Sequence, residues 1–242
     1  MELWAHRGSG KGPLENTLKG FQAALDAGFD AVEFDVMLTA DGHAMIHHDW
    51  VMGRCAQSVD PALAATDSQT RFDSLRQRDL RHYHVQGQAI PSLGQVVDFC
   101  VQHGMRANVE LKATDPANAR HLGHAVLAAV EALPPTVQAQ VRSRWVFSSF
   151  YHASLLPLRG FDLALLYETL RDDWILHADA LQASAIHLHW SGAEPAAVRR
   201  IHTSGRLVRV YTVNDQDQAK TLQSLGIEGI FTDRMEFARP PF

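Results

Sequence analysis

Short apolar runs alternate with segments of helical periodicity along most of the chain. Eight of these runs have the length and composition of buried β-strands, at residues 3–6, 31–36, 106–112, 144–148, 163–167, 185–189, 207–213 and 229–232. Seven segments between them space their apolar residues as amphipathic helices do, at residues 15–27, 92–103, 117–132, 151–158, 172–180, 195–204 and 215–225. This alternation is typical of repeated βα units.

Eight strand–helix units in 242 residues match a (β/α)8 TIM barrel, an α/β fold that takes about 250 residues. We therefore predict one barrel domain over residues 1–242. An open, doubly wound parallel sheet is the alternative, because strand counts from one sequence err at element ends. Local signals support the helices: Gly28, Gly104 and Gly226 follow helical runs, where a left-handed residue ends a helix at little cost. Asn214 is a candidate N-cap of the last helix.

The alternation is interrupted after the second predicted strand. The turn signal Asp41-Gly42 leads into a short apolar run at 44–48, which predicts an antiparallel hairpin partner for that strand. Residues 50–90 show no strong period, and their most helical part, 71–82, is polar. We interpret residues 44–90 as a small subdomain inserted between the second strand and its helix, placed where it could cover the barrel mouth.

Charge and composition exclude several classes of protein. The chain has 22 basic and 27 acidic residues, and a net charge of −5 argues against general binding to nucleic acid or anionic membranes. No apolar run approaches the roughly 18–20 residues of a transmembrane helix, and the amino terminus lacks a signal-peptide pattern. Cys55 and Cys100 lie too far apart for a zinc knuckle and do not indicate a disulfide framework. We expect a cytoplasmic protein with a small-molecule substrate and no stable membrane association, of undetermined oligomeric state.

Three carboxylates lie where two predicted barrel strands end. Glu33 and Asp35 are two residues apart on the second strand, as are Glu110 and Lys112 on the third, so each pair shares a face. Catalytic groups of a barrel gather at the carboxyl ends of its strands, and acids brought together there repel one another unless a cation lies among them. Oxygen ligands suit Mg²⁺, Ca²⁺ or Mn²⁺ better than zinc. Structural ion pairs, with Lys112 neutralising one acid, are the alternative.

Histidines and further cations accompany these acids. His6-Arg7 ends the first strand and His48-Asp49 follows the hairpin strand, a set that favours phosphoryl chemistry because imidazoles move protons near neutral pH and cations hold phosphate. Neighbours on a strand face opposite ways, so only one of His47 and His48 reaches the site. His187 and His189 share a face of the sixth strand, which points either to the lumen or to the helices.

Short motifs occur in a fixed order from residue 4 to about 233: His6-Arg7-Gly8, Glu15-Asn16-Thr17, Glu33-x-Asp35, His48-Asp49, Glu110-x-Lys112, Ser149-Phe150, Tyr211-Thr212-Val213-Asn214 and Thr232-Asp233. Their order and spacing resemble the glycerophosphodiester phosphodiesterase family, above all its bacterial cytosolic members. Segments 172–174 and 184–188 share the likeness. In one departure, Leu14 separates Pro13 from Glu15, where the family has Pro-Glu-Asn-Thr.

The resemblance implies a divalent-metal hydrolase that releases sn-glycerol 3-phosphate and an alcohol. It assigns metal binding, with Mg²⁺ or Ca²⁺ favoured, to Glu33, Asp35 and Glu110, acid–base catalysis to His6 and His48, and phosphate contacts to Arg7 and Lys112. Glu15 and Asn16 would support the site, and Asp233 would bind the metal through water, orient a catalytic group or cap a helix. Tyr211 would form an aromatic wall or simply pack in the core, with Phe150 and Trp190 as weaker candidates for the wall.

Two other functions stay open at this point. A lysophospholipid phosphodiesterase of the same superfamily would need an apolar collar or a basic interfacial helix, and neither stands out. A catalytically silent barrel that binds phosphorylated ligands would be expected to lack a member of the set. The sequence leaves open the metal, the preferred alcohol, and whether water or the glycerol 2-hydroxyl attacks first.

Overall fold

A closed barrel of parallel strands forms the centre of the protein in a computed structural model that describes residues 1–238. The strands of this range are β1 (Glu2–Ala5), β2 (Ala31–Leu38), β3 (Ala44–Ile46), β4 (Gln57–Ser58), β5 (Tyr83–Val85), β6 (Gln88–Ala89), β7 (Arg106–Leu111), β8 (Trp145–Ser149), β9 (Asp162–Tyr167), β10 (Ala185–His189), β11 (Leu207–Tyr211) and β12 (Gly229–Thr232). Eight of them pair in the order β1-β2-β7-β8-β9-β10-β11-β12, and β12 pairs back onto β1. The predicted TIM barrel is confirmed, and the open-sheet alternative is wrong.

Helices surround the barrel and pack on the outward faces of its strands. Within the described range they are α1 (Leu18–Ala27), α2 (Pro61–Ala64), α3 (Leu93–Gln102), α4 (Pro116–Glu131), α5 (Pro135–Arg144), α6 (Trp174–Leu181), α7 (Pro195–Thr203) and α8 (Gln216–Ser224). On β2, Val32, Phe34 and Val36 belong to the apolar core between barrel and helices, so Glu33 and Asp35 point into the lumen. No helix of the described residues is both long and apolar enough to cross a membrane.

Two segments differ from the predicted helices. Helix α5 was not predicted, because Val141 is its one buried residue and it therefore shows no apolar period. The segment predicted as a helix at 151–158 is a 3-10 helix, His152–Leu158, which contains Pro157. Proline has no amide hydrogen and its ring clashes with the preceding turn of an α-helix, so an α-helix is disfavoured in this segment.

At the helix ends the three predicted glycines, Gly28, Gly104 and Gly226, all have a positive φ, whereas the predicted N-cap is wrong. Gly28 has a φ of 103° and its amide donates to the carbonyls of Ala24 and Leu25, as expected for a left-handed helix end. The N-cap of α8 is Asp215, whose carboxylate accepts a hydrogen bond from the Gln218 amide at 2.8 Å. The predicted cap, Asn214, instead uses its side chain at the barrel mouth.

The chain between β2 and α3 contributes a small subdomain with an apolar cluster of its own. Strand β3 pairs antiparallel with β2, which confirms the predicted hairpin. Strands β4 to β6 form a separate antiparallel sheet, accompanied by α2 and by short 3-10 helices. We refer to residues 44–90 as the inserted segment. Its cluster consists of Met37, Met45, Met52, Ala56, Phe72, Leu80, Tyr83, Val85 and Ile90, two of which lie on the hairpin and so join the segment to the barrel.

The amino-terminal end of the barrel is closed by a charged and aromatic plug. Trp4 is 1% exposed, and the guanidinium groups of Arg106 and Arg209 lie 5.0 and 5.3 Å from its ring centroid. Both arginines also donate to the carboxylate of Glu2, at 2.6 and 2.9 Å. We call these four residues the barrel floor, and they leave the carboxyl-terminal end of the strands as the mouth.

Candidate active site

The three predicted carboxylates meet inside the barrel mouth. Glu33 and Asp35 come from β2 and Glu110 from the neighbouring β7, and the parallel register sets Asp35 directly beside Glu110. One carboxylate oxygen from each residue lies within 4.8 Å of those of the other two. Glu33 and Asp35 are buried and Glu110 is half-buried. We refer to these three residues as the carboxylate cluster.

The electrostatics of the carboxylate cluster favour a bound cation. Burial and the charges of Asp35 and Glu110 raise the pKa of Glu33 well above its usual range. Burial would also raise the pKa of Asp35, but the charges of nearby cations outweigh it and hold that pKa below its usual range. The buried Oε1 atom of Glu33 has no hydrogen-bond partner within the described residues. A divalent ion would supply the missing partner and relieve the repulsion, so these oxygen donors fit Mg²⁺ or Ca²⁺.

Two cations lie against the cluster. The Arg7 amide donates to Glu33 Oε2 at 2.9 Å, and the Arg7 Nε atom lies 3.6 Å from Asp35 Oδ2. Arg7 is only 7% exposed and has a φ of 52°. The Lys112 Nζ atom lies 3.6 Å from Glu110 Oε1 and 3.9 Å from Asp35 Oδ1. The structure thus brings both predicted phosphate-binding residues to the cluster, where they also balance part of its charge.

Glu15 and Asn16 act as braces because α1 starts later than predicted. The N-cap of α1 is Thr17, whose hydroxyl accepts from the Gly20 amide, so the two preceding residues are free to reach the mouth. The Asn16 side chain donates to Asp35 Oδ2 at 2.9 Å and accepts from the Asp35 amide at 3.2 Å. Glu15 accepts from Arg7 Nη1 at 3.0 Å.

His6 is held by Asp233, the residue that follows β12. The His6 Nδ1 atom and Asp233 Oδ1 are 2.7 Å apart, and His6 Nε2 lies 3.9 Å from Glu33 Oε2. Asp233 also accepts from the Lys11 amide and from Asn214 Nδ2. Burial would raise the pKa of Asp233, but the hydrogen bond and charge of His6 outweigh it and hold that pKa below its usual range. Of the roles considered for Asp233, this geometry fits orientation of a catalytic group.

Gly10, in the loop after Arg7, allows a close backbone contact that the sequence did not predict. Gly10 has a φ of 81°, and a Cβ atom there would lie 2.6 Å from the backbone oxygen of Asp233. The left-handed backbone and the missing side chain therefore let the β1–α1 loop close onto the Asp233 loop. Gly10 therefore affects the site indirectly, through the position of the Asp233 loop.

The two adjacent histidines after β3 separate as strand alternation requires. The His48 Nδ1 atom lies 2.7 Å from Asp49 Oδ1, and the charge of His48 contributes to the lowered pKa of Asp35. His47 is buried and stacks on the Phe72 ring of the inserted segment at 4.9 Å between centroids. Burial lowers the pKa of His47 to about 4, so it is a neutral core side chain near pH 7.

Arg54, which was not predicted as a site residue, connects Glu15 with the Asp49–His48 pair. It donates to both oxygens of Glu15, at 2.6 and 3.0 Å, and to both oxygens of Asp49. A chain of ionic contacts therefore runs from Arg7 through Glu15 and Arg54 to the Asp49–His48 pair. Arg54 lies in the part of the sequence without periodicity, where nothing marks it as different from other surface arginines.

A cavity of about 30 Å³ continues from the cluster into the barrel. Residues that the sequence analysis did not assign to the site line it beside the predicted ones: Asn108, Leu166, His187 and Phe231. His187 therefore faces the lumen, which answers the question about its strand face. Both of its ring nitrogens lack a hydrogen-bond partner among the described residues, and burial lowers its pKa well below the usual range. Asn108 precedes Glu110 by two residues, so strand alternation could have identified it.

Aromatic side chains form the opposite wall of the mouth. Tyr211 lines the cavity, and its hydroxyl donates to the carbonyl of Tyr167 at 3.0 Å. Its ring meets Phe150 edge-on at 6.0 Å and His189 at 5.7 Å between centroids. Trp190 lies against His189 at 5.4 Å. The predicted aromatic residues thus gather on the β8–β11 side, across the barrel from the carboxylate cluster.

The chain is similar in sequence to known glycerophosphodiester phosphodiesterases and in fold to a solved phosphodiesterase. A glycerophosphodiester phosphodiesterase of Bacillus altitudinis is 28% identical over 96% of this chain and 94% of its own length. One from Caldanaerobacter subterraneus subsp. tengcongensis is 25% identical over 96% and 93%. The fold is shared with a phosphodiesterase of Oleispira antarctica, solved in complex with the product sn-glycerol-3-phosphate, at a TM-score of 0.85 and 24% identity, covering 99% of this chain and 95% of that one.

The match to a family extends over almost the full chain. Residues 6–237 match the glycerophosphoryl diester phosphodiesterase family, a range that includes every residue of the carboxylate cluster and both carboxylate-anchored histidines. The resemblance of the short motifs is thereby confirmed. The chain belongs to the glycerophosphoryl diester phosphodiesterase family.

Proposed function

We propose that the protein hydrolyses glycerophosphodiesters to sn-glycerol 3-phosphate and an alcohol, with a divalent cation in the carboxylate cluster. The observation that carries this proposal is the meeting of three carboxylates with two histidines that are each anchored by an aspartate. Membership of the family supports the reaction, and the cations beside the cluster suit a phosphodiester.

Glu33, Asp35 and Glu110 would hold the metal ion. Their donor atoms are all oxygens, which suits Mg²⁺ or Ca²⁺, and Glu33 Oε1 lacks any other partner among the described residues. A bound divalent ion polarises a phosphoryl oxygen and stabilises the charge that develops there. Arg7 and Lys112 bind the same phosphate and add to that stabilisation.

His6 and His48 exchange protons with the substrate. Each has its Nδ1 atom within 2.7 Å of an aspartate oxygen, so the Nε2 atom is left for proton transfer. One imidazole accepts the proton of the attacking hydroxyl or water, and the other gives a proton to the oxygen of the departing alcohol. Asp233 and Asp49 orient the rings, Glu15 and Asn16 hold Arg7 and Asp35, and Tyr211 bounds the space for the substrate.

A coupled assay for released sn-glycerol 3-phosphate tests this function directly. Purified protein is treated with EDTA and then supplied with Mg²⁺, Ca²⁺ or no metal, using glycerophosphoethanolamine, glycerophosphocholine and lysophosphatidylcholine as substrates. We expect the two glycerophosphodiesters to be hydrolysed, activity to disappear with EDTA, and one of the metals to restore it. Full activity in EDTA would refute the metal proposal, and the absence of turnover with every diester would refute the function.

Arg54 should affect catalysis through His48 without touching the substrate. We expect Arg54→Ala to lower kcat about tenfold with little change in KM, because Asp49 loses the partner that fixes it beneath the imidazole. Added guanidinium should restore part of this loss, since a free cation can occupy the space between Glu15 and Asp49. Arg71→Ala in the same segment, whose guanidinium pairs with Asp73, is the matched control and should keep normal kcat. A large rise in KM with unchanged kcat would contradict this positioning role.

A further inference from the structure

Three aromatic side chains are exposed within residues 1–238, and all three lie on the rim of the mouth. Trp50, Phe150 and Trp190 are 48%, 43% and 45% exposed. Phe150 follows β8 directly and Trp190 follows β10 directly, while Trp50 lies over Lys112 at 6.0 Å. Single exposed apolar residues are ordinary on a protein surface, but their concentration at one end of a barrel indicates a binding surface.

A groove lies beyond the aromatic wall, on the β8–β9 side of the mouth. Its volume is about 560 Å³, and Phe150, Leu166 and Tyr167 form part of its lining. Leu166 also lines the catalytic cavity, so the two spaces are neighbours. The edge-to-face pair of Phe150 and Tyr211 stands between them. We refer to this space as the β8–β9 groove.

The β8–β9 groove carries one unbalanced negative charge. Glu168 directly follows β9, is exposed, and has no hydrogen bond or ion pair within the part of the chain that the structure describes. The positive charge of Arg171, which also lines the groove, is balanced by Asp173, whose two oxygens it contacts at 3.1 and 3.2 Å. His177 pairs with the same aspartate at 3.4 Å. Burial lowers the pKa of His152 to about 4, so this histidine of the lining is neutral near pH 7.

The two sides of the mouth therefore present different groups to a substrate, cations on one side and aromatic rings with a carboxylate on the other. Arg7 and Lys112 lie with the carboxylate cluster on β1, β2 and β7, where the phosphate is expected. A diester held there has two arms, and the cavity beside the carboxylate cluster shares Leu166 with the β8–β9 groove, so one arm can extend toward each space. An arm directed to the groove would pass Tyr211 and Phe150, with the Glu168 carboxylate beyond them. Aromatic faces and a free carboxylate together attract an organic cation.

From this arrangement we infer that the β8–β9 groove binds the leaving alcohol of the substrate and favours a cationic amino alcohol, such as choline or ethanolamine, over a neutral polyol. This inference rests on the proposed hydrolysis of glycerophosphodiesters and adds a specificity to it. Glu168 supplies the charge and Phe150 the aromatic contact, and neither takes part in proton transfer or metal binding.

The test compares kcat/KM for glycerophosphocholine with that for glycerophosphoglycerol. In the unmodified protein we expect the choline diester to be favoured at least about fivefold. Glu168→Gln should lower its kcat/KM about five- to tenfold, and Phe150→Leu about two- to fivefold, while glycerophosphoglycerol changes less than about twofold. Tetramethylammonium should inhibit the unmodified protein competitively and the Glu168→Gln variant more weakly. Glu131→Gln, at an exposed position on α4, is the matched control and should change neither substrate.

The outcomes separate the inference from the function on which it rests. If no diester releases sn-glycerol 3-phosphate, the function itself is wrong. If both diesters are hydrolysed at similar rates and Glu168→Gln changes them equally, the function stands and the inference is overturned. Preferred turnover of lysophosphatidylcholine, unaffected by Glu168→Gln, would also overturn it, because the rim aromatics would then serve an acyl chain.

Discussion

Replacing His48 by alanine should lower kcat for glycerophosphoethanolamine by about 10²–10⁴-fold, and His6→Ala should have an effect of the same size. In the proposed mechanism each imidazole carries the proton of one reaction partner, and its anchoring aspartate could not replace it because the carboxylate lies on the Nδ1 side of the ring. The measurement is single-turnover and steady-state release of sn-glycerol 3-phosphate at saturating metal.

His121→Ala controls for the loss of a histidine as such. His121 lies exposed on α4 and is not part of the lining of the catalytic cavity, so its replacement should leave kcat unchanged. We also expect bound metal to raise the melting temperature of both histidine variants as it does that of the unmodified protein, since neither histidine belongs to the carboxylate cluster. Near-normal turnover by both variants would show that the acid–base assignment is wrong.

Glu33→Gln should separate stability from function. Without metal, the substitution removes the most strongly destabilised charge of the cluster, so we expect the melting temperature to rise by about 2–4 °C. With saturating Mg²⁺ or Ca²⁺, the unmodified protein should gain about 5–10 °C, and the variant should lose most of that gain. Its kcat should fall about 10³-fold, because the remaining two carboxylates bind the ion poorly.

Differential scanning calorimetry with and without each metal measures both effects on one sample. Glu131→Gln again serves as the control, since it removes a carboxylate from an exposed helix position and should keep the full metal response. An equal rise with metal in the unmodified protein and in Glu33→Gln would exclude Glu33 as a ligand. A lower melting temperature of the metal-free variant would show that the charge of Glu33 stabilises the fold.

Much of this site could be predicted from the sequence because side chains alternate between the two faces of a strand. A period of two sets Glu33 with Asp35 and Glu110 with Lys112, and parallel pairing of barrel strands then brings the acids together. The same period separates His47 from His48. The facing of each side chain is local to its strand, and the pairing of β2 with β7 follows from the predicted barrel, so no individual distant contact had to be known.

Arg54 and the cap of α8 could not be predicted, because both depend on contacts between distant parts of the chain. Arg54 becomes part of the site only because the inserted segment packs against Glu15, which is 39 positions away in the sequence. Asn214 and Asp215 are both good helix caps, and which of them caps α8 is decided by Asp233, whose backbone amide and carboxylate occupy the Asn214 side chain. A single sequence does not rank two such neighbours, since the deciding partner follows another strand.

The barrel floor determines the route by which products leave. Because Trp4 and its two flanking arginines plug the amino-terminal end, substrate, water and both products must pass through the same opening. In the proposed reaction the alcohol is the outer product, so we expect it to leave before the sn-glycerol 3-phosphate that lies against the carboxylate cluster. With that order of release, sn-glycerol 3-phosphate should rebind the free protein and compete with substrate.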